Sequence, residues 1–231
     1  MSARSAAVTL LLFAMAPAHA AQDNAAYPRM APIDQYMMAR DAEVALARSA
    51  APDSISRDAR IVVLGRHGYE TAVEGKNGFV CSVERSWTSP IDNSEFWNPK
   101  IRGPVCYNPP AARSVLPIIY LRAELVMAGV PQAQLADRIK DAYAKRVPPL
   151  EPGSMSYMMS KNAYLTDRQG HNVAHVMFYT PVMDGAAWGA DLPKSPVSLI
   201  FHGAPEPIDV FIVVTNTWSD GTPSSSDHHK H

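Results

Sequence analysis

This chain of 231 residues has no glycine-rich phosphate loop, no G-x-S-x-G elbow and no C-x-x-C pair. The first absence removes the backbone cradle that nucleotide phosphates use, and the second removes the strained turn that presents a catalytic serine. The third removes the redox dithiol. Basic runs are missing as well. The 21 lysines and arginines are scattered without interleaved aromatics and are balanced by 22 acidic residues, for a formal charge of −1. A nucleic-acid surface needs a concentrated positive patch, so no nucleic-acid partner is expected. Carboxylates paired for glycoside chemistry cannot be picked out, since Asp184, Asp191 and Glu95 qualify only by lying in loops between aromatics. Ser114 and Ser195 stand near proline-rich turns, where serine ordinarily caps and closes turns. No internal repeat is found, which excludes a solenoid.

Long apolar runs are also scarce, and the one that occurs opens the chain. "MSARS" carries Arg4, "AAVTLLLFAMA" is apolar, and "PAHA" ends in small residues at −3 and −1. That is the pattern of a secretory signal peptide, expected over residues 1–21 with cleavage after Ala20 or Ala21. The apolar stretch is about a dozen residues, short of the roughly 20 that a membrane anchor needs. No stable membrane insertion is expected after cleavage, and the expected location is periplasmic or secreted. No cysteine follows the small residues, which argues against lipid attachment.

Export changes how the cysteines read. Cys81 and Cys106 are the only two, and in an oxidising compartment they are expected to form a structural disulfide. Closing a loop of about 25 residues restricts the unfolded chain by roughly 3 kcal/mol in the loop-entropy model. The enclosed segment is rich in Pro, Asn and Trp and has little periodicity, so it reads as an irregular loop that needs a staple.

The chain divides further by composition. Residues 22–31 read as a loose arm, 32–218 as a single globular α+β domain, and 219–231 as a disordered polar tail. Within the domain, "PIDQYMMARDAEVALARSA" has the spacing of an amphipathic helix. "ARIVVLG" is a buried strand, and "YETAVEGKNGFVCSVERSW" reads as a hairpin turning at Asn77-Gly78. "AARSVLPIIYLRAELVMAGV" and "PQAQLADRIKDAYAKRV" form a helical hairpin that breaks at Gly129, with Pro117 in the first turns or at a kink. "SMSYMMS", "VAHVMFYT", "VSLIFH" and "DVFIVVTNTW" are strands separated by turn residues. The fold expected is α+β, an antiparallel sheet with the N-terminal helix and the central helical hairpin packed on it.

"GHNVAHVMFYTP" holds two histidines four apart, His171 and His175. On a helix they would make a metal pair. Val173, Val176, Phe178 and Tyr179 are weak helix formers between a glycine and a proline, so the stretch reads as a strand. At about 3.3 Å per residue the two imidazoles lie roughly 13 Å apart, too far for one ion bound at about 2.1 Å. No metal ligands are assigned and no cofactor is expected. On the strand, His175 shares a face with Val173, Met177 and Tyr179. It is either a core histidine satisfied by hydrogen bonds or a group that faces a pocket.

These stretches carry a resemblance. "GHNVAHVMFYTP", "AAWGADLPKSPV" and "WSDGTP", with "EFWNPKIRGPVC" upstream, resemble a widespread set of exported bacterial proteins of uncharacterised function. The likeness covers most of the mature chain. It implies export and a single domain, and no activity comes with it.

The function expected is therefore binding of a small molecule in a pocket near His175 and Tyr179. His171, His67, Trp97 and Trp188 are the further candidate ligand contacts, because loop tryptophans suit a flat or sugar-like ligand. His175 and Tyr179 are also the candidate catalytic residues of a rival reading, a hydrolase with His175 as general base. Two other classes stay open. One is a copper protein using thioethers from Met37, Met38, Met155, Met158, Met159 and Met177. The other is an envelope interaction protein without a pocket.

Overall fold

A computed structural model describes residues 26–168 and 172–224. The expected signal peptide, His171 and the end of the polar tail lie outside them. β1 (Arg60–Gly65) is the β-branched run, buried from Ile61 to Leu64. It turns back at Arg66-His67 into β2 (Gly68–Val73), pairing Gly65 with Gly68. β3 (Val80–Glu84) then lies parallel to β1 on the other side. β4 (Gly103–Tyr107), β5 (Met155–Met158) and β6 (His175–Pro181) follow in antiparallel succession. β7 (Val197–His202) and β8 (Ile208–Val214) complete one sheet in the order β2-β1-β3-β4-β5-β6-β8-β7.

The expected hairpin at Asn77-Gly78 does not form. Its two runs are separate strands on opposite flanks of β1. The partner of β2 is set instead by the tight Arg66-His67 turn. Asn77 is used differently: its side-chain amide donates to Ile55 O (2.7 Å), and its Oδ1 accepts from Phe79 N (3.1 Å). The chain crosses the end of β1 so closely at Gly75 that a Cβ there would lie 2.2 Å from Arg60 N. Local turn signals do not see such a crossing.

The N-terminal helix is shorter than its pattern. A 3-10 turn at Ile33–Gln35 precedes α1 (Arg40–Arg48). Between them Tyr36 is fully buried, donates its hydroxyl to Trp97 O (2.8 Å) and accepts Arg85 Nε at its carbonyl (2.7 Å). Those tertiary bonds take the place of helical ones. A short α2 (Asp53–Ser56) leads into β1. α3 (Pro109–Ser114) starts on Asn108, whose side chain accepts from Ala111 N, and α4 (Leu116–Met127) carries Pro117 in its first turn. Gly129, at φ +76°, ends α4 in a conformation that a side chain would strain. α5 (Gln132–Arg146) then returns along α4 with Leu135 and Ile139 as its buried residues. Burying each of those two side chains is worth about 1.5–3 kcal/mol, and most of the other α5 residues are exposed.

Register sorts the sheet's side chains onto two faces. Cys81 and Cys106 are directly opposed on β3 and β4 and form the disulfide. They share one face with Ile61 and Val83, under Ala47 of α1 and under Ala50 and Ala51. On the other face Val80, Val105, Tyr107, Met177 and Val210 lie beneath Ala111 of α3, Leu116 of α4 and Val115 between the two helices. A third cluster joins Tyr36, Trp87, Phe96 and Trp97 to Ala123 and Val126 of α4 and to α5.

The ends of the domain are better anchored than their composition implies. Of the expected arm, residues 26–31 are described, and Tyr27 donates its hydroxyl to Asp167 (2.5 Å). Lys100 and Tyr164 meet the same carboxylate at 2.7 and 2.5 Å and hold it well below the usual range. At the other end the hydroxyl of Ser219 donates to Ser49 O (2.6 Å), and Ser224 N donates to Asn216 O (2.8 Å). Residues 219–224 are therefore a pinned turn.

Candidate functional site

β6 supplies the first wall of a cavity of about 340 Å³ between the second sheet face and α4. His175 opens β6, and alternation carries Met177 and Tyr179 to the same side as His175. Cross-strand pairing extends this wall: Ser156 opposes Met177, and Met158 opposes His175. Val210 and Ile212 of β8 oppose Tyr179 and Met177. Val115, Ile118 and Ile119 form the roof, and Ile200 and Ala204, both exposed, mark the rim. Gly103 lets Met158 come close, since a Cβ there would stand 3.1 Å from Met158 Cε. The lining is mostly aliphatic, so any polar ligand atom must find one of few polar groups.

Those groups are few and mostly committed. His175 Nδ1 lies 2.7 Å from Val173 O, and a carbonyl only accepts, so Nδ1 carries the proton. Burial lowers the pKa of the imidazole, against the pull of that carbonyl, and keeps the ring neutral. Nε2 is then a lone pair with no hydrogen-bond partner among the described residues. Tyr179 Oη and Ser156 Oγ lie 2.8 Å apart. Burial pushes the Tyr179 phenol upward, with the charge of Glu84 acting the same way, so it stays protonated. Tyr107 donates its hydroxyl to Glu84 Oε1 and stacks on Tyr179 at 6.5 Å between ring centres. Burial raises the Glu84 carboxyl above its usual range, and Tyr107, Thr88 and Arg122 offset part of that rise.

One end of the cavity is closed by a buried ion pair. Arg122 of α4 grips Glu206 through Nε (2.6 Å) and Nη2 (2.8 Å). Its Nη1 donates to Trp87 O and Ser89 O (3.1 and 2.9 Å). The pair ties α4 to the turn that precedes β8, and both side chains line the cavity.

Only some of the candidates from the sequence meet here. His175 and Tyr179 do. His175 stands at the start of its strand rather than in the middle, which lets its ring reach back to the Val173 carbonyl. His67 is exposed in the β1–β2 turn. Trp97 is buried in the third cluster, donates Nε1 to Gln132 Oε1 (2.6 Å) and lines a second cavity with Met30, Val126 and Val130. Trp188 stacks on Phe211 with 4.7 Å between centres. Phe211 opposes Phe178, so Trp188 covers the sheet face away from the cavity. Of the methionines, Met158 and Met177 share the cavity, whereas Met155 opposes Phe178 on the far face. The thioethers therefore do not converge as a set.

Glu84, Tyr107, Arg122 and Glu206 are not legible as site residues in the sequence. For Glu84 the available signal is its parity with Val80 and Ser82, between Val83 and Arg85. Compared with protein-family models, curated proteins and solved structures, the chain has no match in any of the three.

Proposed function

We propose that this is an exported binding protein for a small, largely apolar molecule that occupies the His175 cavity. The observation that carries the reading is the cavity itself. It is walled largely by aliphatic side chains and holds one imidazole nitrogen without a partner among the described residues. Its size lies at the small end of ligand sites, which span about 300–1,000 Å³. In this reading α1 and the α4–α5 hairpin are packing layers that stiffen the sheet so that the cavity persists when empty. The leader-like N-terminus, the disulfide and the likeness to exported bacterial proteins support placement outside the cytoplasm. No described helix is long and apolar enough to cross a membrane.

Binding is favoured over hydrolysis by what His175 touches. A general base is ordinarily oriented by a carboxylate and faces a nucleophile. Here the orienting group is the Val173 carbonyl, and the nearby carboxylate of Glu84 is given to Tyr107.

The reading is tested by titrating 1-octanol, a neutral amphiphile, into wild type and Ile119→Trp by calorimetry. Ile119 lines the roof, and an indole there fills the space that the alkyl chain would use. Wild type is expected to bind one octanol saturably. The variant, folded by circular dichroism, is expected to bind at least about tenfold more weakly. No saturable binding to wild type, or equal binding to both, would overturn the reading.

A further inference from the structure

We infer that the ligand of this cavity is a cation, an apolar molecule carrying one protonated amine or amidine that sits against the Glu84 carboxylate. This rests on the binding reading above and adds the charge of the ligand.

Most charges around the cavity are already paired. Two arginines line it, and both are consumed. Arg85 gives Nε to Tyr36 O (2.7 Å), Nη1 to Val83 O and Nη2 to Glu43 Oε1 (2.8 Å). Arg122 gives Nε and Nη2 to Glu206 and Nη1 to two backbone carbonyls. Each guanidinium thus has its own carboxylate, so the two pairs are neutral. Glu84 is left over. Its Oε1 takes the Tyr107 proton, and its Oε2 has no hydrogen-bond partner among the described residues. The one proton of the nearby Thr88 hydroxyl goes to Arg85 O (2.9 Å). The lining therefore carries one carboxylate without a counter-ion, half-buried among aliphatic side chains.

Hydrogen-bond capacity points the same way. Tyr107 has spent its proton on Glu84, and His175 has spent its own on Val173. Among the ionisable side chains, Glu84 Oε2 and His175 Nε2 are what remains, and both accept; the hydroxyls of Ser89 and of the Tyr179–Ser156 pair are neutral. A ligand head rich in donors satisfies them; an anionic head finds only neutral hydroxyl donors and meets a negative charge. Burial makes Glu84 costly to ionise while the cavity is empty, and an incoming cation relieves that cost. Charge-assisted hydrogen bonds of this kind are roughly twice as strong as neutral ones.

The test compares three ligands of one chain length, n-octylammonium, 1-octanol and octanoate, by calorimetry at constant ionic strength. Wild type is expected to bind octylammonium at least about tenfold more tightly than octanol, and octanoate least. Glu84→Gln keeps the shape and still accepts from Tyr107. It is expected to bind octylammonium no more tightly than octanol, losing the preference for the amine. The wild-type ranking decides the matter even if the variant does not fold. If octanol binds and octylammonium gains nothing, or octanoate binds best, the charge assignment falls while the cavity reading stands. If none of the three binds, both fall. An amine preference that survives Glu84→Gln also overturns the assignment.

Discussion

Arg85→Ala is expected to cost about 3–5 kcal/mol of folding stability, because it strands a carboxylate in the core. Glu43 of α1 is 1% exposed and Arg85 is fully buried. The Glu43 Oε1 atom takes both Arg85 Nη2 (2.8 Å) and the backbone N–H of Leu64 (3.0 Å). Its Oε2 has no partner among the described residues. Without the guanidinium, Glu43 must stay charged in an apolar surrounding or take up a proton, and both are costly. The loss reaches further, because Arg85 also binds the carbonyls of Tyr36 and Val83. It thus joins the segment before α1 to the end of β3. For a domain of this size each kcal/mol moves Tm by about 2–4 °C, so a drop on the order of 10 °C is expected. The double variant Glu43→Leu with Arg85→Met removes both charges at similar volume and is expected to recover most of the loss. Urea unfolding of the three proteins measures this. Equal losses in the single and double variants would show that the pair does not act as a unit.

Replacing Cys81 and Cys106 together by alanine is expected to cost about 2–5 kcal/mol. The mechanism lies mainly in the unfolded chain, where the cross-link restrains the segment from 81 to 106. In the folded protein that segment has its own anchors, since Trp87, Phe96 and Trp97 are all buried in the third cluster. The variant is therefore expected to fold to the same structure with a lower unfolding midpoint. Adding dithiothreitol to the unfolding reaction of wild type is expected to reproduce the loss. A change under about 1 kcal/mol would mean that the unfolded chain is already held together by other contacts.

What can be read in the sequence follows from how local each signal is. β1, β6, β7 and β8 announce themselves as short β-branched or aromatic runs between turn residues, and β5 as a short Met- and Tyr-containing run after the Pro/Gly turn. The extended chain at His175 needs only Val173, Val176, Phe178 and Tyr179 to be recognised. β4 is hidden. Gly103, Pro104, Val105, Cys106 and Tyr107 are all buried, so they show no alternation, and a proline speaks against a central strand. Pro104 is tolerated because β5 pairs only with Cys106 and Tyr107, leaving the start of β4 open on that side. The mistaken hairpin at Asn77-Gly78 has the same root. A turn signal states that the chain can reverse; it does not say which strand it rejoins.

The site is half legible for a related reason. Period-two alternation brings His175 and Tyr179 to one face from sequence alone. Which face carries the cavity depends on where α3 and α4 land. The loop tryptophans have no side assigned by any local pattern. Trp188 follows Phe211 to the far face, and Trp97 follows the α5 start through Gln132. The Arg122–Glu206 pair joins residues 84 positions apart, beyond any local pattern as well.

Entry of a small apolar molecule between β6 and α4 is the central claim. Methionine methyl groups report on it directly, because Met158 and Met177 line the cavity, Met155 lies on the opposite face and Met30 lines the second cavity. The decisive measurement is a titration of [methyl-13C]methionine-labelled protein with 1-octanol, followed by proton–carbon correlation spectra. The methyl signals of Met158 and Met177 are expected to move together with one half-saturation point, while those of Met155 and Met30 stay in place. Movement of Met30 or Met155 with Met158 and Met177 unmoved at saturating octanol would contradict that claim.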